Sequence, residues 1–132
     1  MVDNMLLDHS DGHMSTEQME SFSDEWLDAW NEHELENILV HYSADVRFYS
    51  PGIAKLTNTD NPYLVGRKAL REYWLKAFEM FPDLHFELSG KYYGARAMSL
   101  NYKNQLGQAV IESFVFGPNG LVVLSIASYA RM

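Results

Sequence analysis

Cysteine is absent from the 132-residue chain. That excludes disulfide frameworks, thiolate zinc sites, iron–sulfur clusters and cysteine nucleophiles together. Long apolar runs are missing too. No stretch approaches the roughly 20 apolar residues of a membrane helix, and no signal-peptide pattern opens the chain. The expected compartment is therefore the cytoplasm. Bases are scarce: ten Lys and Arg stand against eighteen Asp and Glu, and the net charge of −8 repels nucleic acid and anionic membranes. They are also unevenly placed, since the first 46 residues hold twelve of the acids and no base before Arg47. An acidic helix packed on a mildly basic sheet accounts for this asymmetry, and so does a self-complementary contact between subunits. What the chain does have is apolar surface. Hydrophobic residues make up 47% and aromatic residues 14%, enough to require one sizeable core.

Residues 1–14 mix Asp, Ser and Gly without a sustained period and read as a flexible N-terminal tail, leaving 15–132 as a single domain. His9 and His13 are four apart, but in such a tail they read as solvated. Ser15 with Gln18 forms a capping-box signature for a first helix, in which Met19, Phe22, Trp26 and Trp30 make one apolar stripe. A shorter helix is predicted over Glu34–Tyr42. The period then changes to two: Val46, Phe48 and Ser50 face one way, Arg47 and Tyr49 the other, in a strand stopped by Pro51-Gly52. Residues 51–65 carry Pro, Gly, Asn and Asp and read as a long loop, a candidate binding rim or lid. Helical spacing returns over Arg67–Phe81 and ends at Pro82. Alternating runs at 84–93, 97–104, 109–116 and 121–130 are strands separated by turn residues. The order α-α-β-α-β-β-β-β defines an α+β domain with helices on one face of a curved, mostly antiparallel sheet. The other sheet face is also partly apolar, and a second subunit would cover it.

One residue stands out on this pattern. Glu112 alternates in phase with Val110, Phe114 and Phe116, an acid on an apolar strand face. Either it is buried, with its pKa raised so that it acts as a protonated donor or a general acid/base near neutrality, or it pairs with a sheet base such as Arg96 or Lys103. His85 shares its run with Glu87 and reads as partly solvated or as a subunit contact. His41 and Asp45, with His33 nearby, stand at helix ends without a third convergent ligand, so a cap and a surface pair fit better than a metal. Trp26, Trp30 and Trp74 are core by spacing, with one expected at a pocket wall. Tyr49, Tyr102 and Tyr129 offer hydroxyls to a ligand or tips to water. No nucleophile-elbow, zincin, P-loop or dinucleotide motif is present, and no cofactor or metal is implied.

The run Trp26–Glu36, then Tyr42-Ser43-Ala44-Asp45-Val46 and Ser50-Pro51-Gly52, resembles the opening of the nuclear-transport-factor-2-like superfamily, most closely its SnoaL-like and ketosteroid-isomerase-like branches. Gly66–Tyr73 resembles the start of that family's third helix, and Phe81–Phe86 its approach to the long sheet. The resemblance spans Ser15–Arg131. It implies a cone-shaped half-barrel around a cavity and a homodimer through the outer sheet face. It also implies a hydrophobic small-molecule ligand, a carbonyl or polyketide-like compound, and cofactor-independent isomerase, cyclase or hydratase chemistry, with a binding-only or interaction role as the rival. The carboxylate base of the steroid isomerases falls on Ser50, which cannot abstract a carbon-bound proton unaided, so that particular activity is not expected. Their oxyanion tyrosine falls on Trp26, and their second oxyanion acid on Glu112. The Arg-Asp-Asp set of the related epoxide hydrolases is not evident. The candidate site on this reading is Glu112 as acid/base, with Trp26, Trp30, Ser50, Trp74, Tyr102, Phe114 and Tyr129 around the ligand.

Overall fold

The computed structural model describes residues 14–131. Helix α1, Thr16–Asn31, begins at the capping box: Gln18 N–H donates to Ser15 Oγ at 3.1 Å, and Ser15 N–H donates to Gln18 Oε1 at 2.8 Å. Its inward face carries Met19, Phe22, Trp26 and Trp30, as the spacing predicts. The second helix is shorter than expected. It covers Leu35–Leu39 (α2), and Tyr42 opens strand β1, Tyr42–Tyr49. The expected tail over 1–13 lies outside the described residues, while Met14, grouped with it, is buried in the core.

The largest departure from the sequence reading is residues 51–65. They are not a structureless loop but helix α3, Pro51–Thr57, followed by strand β2, Tyr63–Val65. Ser50 Oγ accepts the Gly52 N–H at 3.2 Å and caps α3, and Pro51 occupies the first turn, where its missing N–H costs nothing. Asn58 ends the helix in the left-handed region at φ 55°. Helix α4, Arg67–Met80, follows Gly66, whose φ of 93° and N–H bond to Val46 O at 2.7 Å turn the chain tightly off the sheet.

The remaining strands are β3 (Glu87–Gly94), β4 (Ala97–Lys103), β5 (Ala109–Phe116) and β6 (Val122–Tyr129). With β1 and β2 they form a six-stranded sheet in the order β2-β1-β6-β5-β4-β3. All neighbours are antiparallel except β1 and β6, which run parallel. Register breaks at Leu88/Gly90, Val115/Phe116 and Tyr42/Arg47 bend the sheet. Its edge strands β2 and β3 do not meet, so the sheet is a half-barrel.

Residues 84–86, expected to begin the long strand, are instead an extended approach to it. Asn31 takes the place of a strand neighbour there: its Nδ2 donates to Phe86 O at 3.0 Å, and its Oδ1 accepts Phe86 N–H at 2.7 Å. This fastens Phe86 over the end of α1. The charge asymmetry is resolved partly inside the fold. Lys91 on β3 reaches Glu20 at 3.2 Å and Asp24 at 2.8 Å on α1, and Arg71 on α4 forms a bidentate pair with Glu36 on α2. None of the helices is long and apolar enough to cross a membrane, among the described residues.

Candidate functional site

The helices cover only part of the concave sheet face. Between α1, α3, α4 and strands β4–β6 lies a cavity of about 440 Å³. Aromatic and aliphatic side chains make its walls: Trp30 from α1, Phe48 from β1, Trp74 from α4, and Phe81, Leu84 and Phe86 from the approach to β3. Trp30 meets Trp74 edge-on at 5.1 Å and Phe86 at 5.2 Å, and Phe86 lies 4.2 Å from Tyr102. These contacts leave the walls little freedom to collapse.

Among the described residues Glu112 is the one acid on these walls, and it is 4% exposed. Its strand neighbours are Leu100 on β4 and Ala127 on β6. From the diagonal positions Tyr102 O–H donates to Oε1 at 2.8 Å and Ser125 O–H to Oε2 at 3.2 Å. Burial pushes the carboxyl up to about 7, while the two hydroxyl donors pull it down less strongly. Of the two sequence readings, the structure takes burial; Arg96 and Lys103 are not its partners. The phenols behave differently. Tyr102 is raised well above its ordinary value by burial and by the neighbouring Glu112, so it stays a neutral donor.

Beside this pair is a second group of hydroxyls. Burial raises Tyr73 and Tyr129, while the hydroxyl of Ser50 pulls both the other way. A Cβ at Gly52 would lie 2.6 Å from the Tyr73 hydroxyl, so a larger residue there would displace that hydroxyl. The floor of the cavity therefore presents one carboxyl that titrates near neutrality and several hydroxyls that do not.

Six of the residues singled out from sequence line the cavity: Trp30, Ser50, Trp74, Tyr102, Glu112 and Tyr129. Trp26 and Phe114 do not. Trp26 is fully buried and donates Nε1–H to Tyr42 Oη at 2.8 Å, a core bond that leaves nothing for a ligand. Phe114 packs against Trp26 at 5.3 Å and Phe22 at 5.0 Å, one layer deeper than Glu112. Two of the three tryptophans reach the cavity, where one was expected. His85 and Glu87 are exposed and lie off it. His41 sits 3.8 Å from Glu25, Asp45 accepts from Ser43, and His33 hydrogen-bonds Leu84 O at 2.8 Å while stacking on Phe78. Among the described residues no three metal-ligating side chains converge. Sequence reasoning missed Tyr73 as a site hydroxyl and Lys55 and Leu56 of α3. It also missed the amides of Asn104, Gln105 and Gln108 on the β4–β5 turn. The Ser50-Pro51 cap-and-first-turn signature was the available signal for α3.

A half-barrel with helices over its concave face and a carboxyl inside an apolar cavity defines an α+β domain of the cone-shaped class. Residues 24–91 match the model of the SnoaL-like domain, and the chain belongs to that family. A SnoaL-like protein of unknown function from Burkholderia thailandensis E264 is 35% identical, with 90% of this chain and 99% of that one covered and a TM-score of 0.84. More distant structures share the fold. A candidate ketosteroid isomerase from Kribbella flavida is 16% identical over 88% and 80% of the two chains, with a TM-score of 0.64. TerC, co-crystallised with polyporic acid, is 11% identical over 86% and 91%, with a TM-score of 0.70. No curated protein matches the chain.

Proposed function

We propose that this chain binds a hydrophobic carbonyl compound of polyketide-like type in its cavity and moves a proton on it with Glu112, without a cofactor. The observation that carries the reading is a single carboxyl, 4% exposed and poised at about 7, on the wall of an otherwise apolar cavity. In its protonated form Glu112 donates to a carbonyl oxygen; in its ionised form it accepts a proton from an adjacent carbon. Tyr102 and Ser125 hold the carboxyl, and Ser50, Tyr73 and Tyr129 orient the substrate's oxygen. TerC, which shares the fold, holds a small organic molecule, which supports a ligand role for the cavity.

Deuterium exchange into 2-tetralone, an enolisable ketone, tests this by proton NMR. Exchange accelerated by the wild type and lost in Glu112→Gln supports the reading. Equal rates with and without the Glu112 carboxyl would remove it. The rival reading is a binding module, favoured by Ser50: its Oγ caps α3 and, among the described residues, has no base beside it. Ligand retention without exchange would select that role.

The protein is further proposed to be a homodimer through the outer sheet face. There Ile111, Val115 and Ile126, on the adjacent strands β5 and β6, are 46%, 38% and 39% exposed. Light scattering should give twice the chain mass, and a monomer at micromolar concentration would reject this assembly.

A further inference from the structure

The solvent end of the cavity carries a charge that proton transfer at Glu112 does not use. Of the described side chains lining the cavity, Lys55 is the one cation. It stands on α3, which is anchored by fully buried Ile53, by the Ser50 cap and by the Thr57 hydroxyl bond to Ile53 O. Lys55 itself is exposed. The ion pairs of the described residues join His41 to Glu25, Arg71 to Glu36, and Lys91 to Glu20 and Asp24, and none involves Lys55. Lys68, Lys76 and Lys103 are in none of these pairs either, and what sets Lys55 apart is its place beside an apolar cavity. The β4–β5 turn lines the same end of the cavity. Its exposed Leu106 marks it as part of the mouth.

We propose that Lys55 selects an amphiphilic anion: a flat apolar body against the wall formed by Trp30, Trp74 and Phe86, an oxygen function at Glu112, and a carboxylate at the mouth beside Lys55. This rests on the cavity being a ligand site and not on Glu112 acting as an acid or base. The arrangement separates the two negative groups, the ligand's carboxylate and Glu112, by the depth of the cavity. Next to low-dielectric walls the lysine's attraction for an anion is stronger than on open surface.

The probes are 6-hydroxy-2-naphthoate and its methyl ester, which share ring and hydroxyl and differ in charge. Each is titrated calorimetrically into the full chain at low ionic strength. The carboxylate should bind about fivefold more tightly than the ester, a preference that shrinks as salt is added. Lys55→Gln should abolish the preference while leaving ester affinity and thermal melting unchanged, and Lys55→Arg should retain it. Equal affinity of the two probes for the wild type, or a preference that survives Lys55→Gln, would overturn the proposal. Failure of both probes to bind would overturn the ligand-cavity reading with it. A Lys55-dependent preference without Glu112-dependent exchange would sustain this inference and reject the proton-transfer reading alone.

Discussion

The Tyr102 hydroxyl donates to Glu112 Oε1 at 2.8 Å inside the apolar cavity, from a diagonal position on the neighbouring strand. This bond favours the charged form of the carboxyl and holds it below the value that burial alone would impose. Tyr102→Phe should therefore move the Glu112 titration upward from about 7, so that more of the carboxyl is protonated at neutral pH. A downward or absent shift, read by carboxyl NMR, would show that the hydroxyl does not stabilise the ionised form.

Burial of Glu112 couples stability to pH. Its pKa rises from 4.5 to about 7 on folding, so the folded state holds the proton more tightly than the unfolded chain. Its contribution is fully present below the unfolded value and is lost as pH rises through the folded one. The loss is on the order of 3 kcal/mol at most. Glu112→Gln should flatten this slope and be the more stable form at mildly alkaline pH. Urea midpoints measured across the range should diverge between the two proteins as pH rises, and parallel curves would contradict the buried placement.

Trp26 and Tyr42 form a buried hydrogen bond that joins α1 to β1, at 2.8 Å. Tyr42→Phe leaves the indole N–H buried and unpartnered, at a cost of about 1–3 kcal/mol. The measurement is a denaturation curve. Because the contact lies off the cavity, probe binding should survive where the variant is folded.

Asn31→Ala should cost a similar amount, about 1–3 kcal/mol, since it removes both side-chain bonds to the Phe86 backbone. Here ligand affinity should fall as well, because Phe86 is a cavity wall. A variant that is less stable but binds the naphthoate probe unchanged would show that the clamp is structural alone.

Much of this architecture is legible from the chain. Ser15 and Gln18 mark the start of α1 because the capping box has a specific geometric requirement. Glu112 is visible because a period of two leaves no ambiguity about which face it shares with Val110 and Phe114. What periodicity does not carry is depth. Trp26 and Trp30 lie one turn apart on one helical stripe, yet the first is sealed in the core and the second reaches the cavity. Phe114 and Glu112 differ in the same way along β5. The α3–β2 segment was hidden for another reason. Pro51-Gly52 reads as a turn when the preceding serine is taken as the end of a strand, and as a helix start when it is taken as a cap. Three residues of β2 are too few to show a period at all. The Tyr73 hydroxyl escaped the sequence reading because its meeting with Ser50 and Gly52 depends on where α3 lies.

Carbon-13 NMR titration of the labelled Glu112 side chain, with Glu112→Gln to assign the signal, tests the site most directly. A midpoint at about 7 is expected for a carboxyl desolvated in the cavity and held by Tyr102 and Ser125. A midpoint at about 4.5, the ordinary glutamate value, would mean a solvated side chain and would contradict the proposed acid/base site.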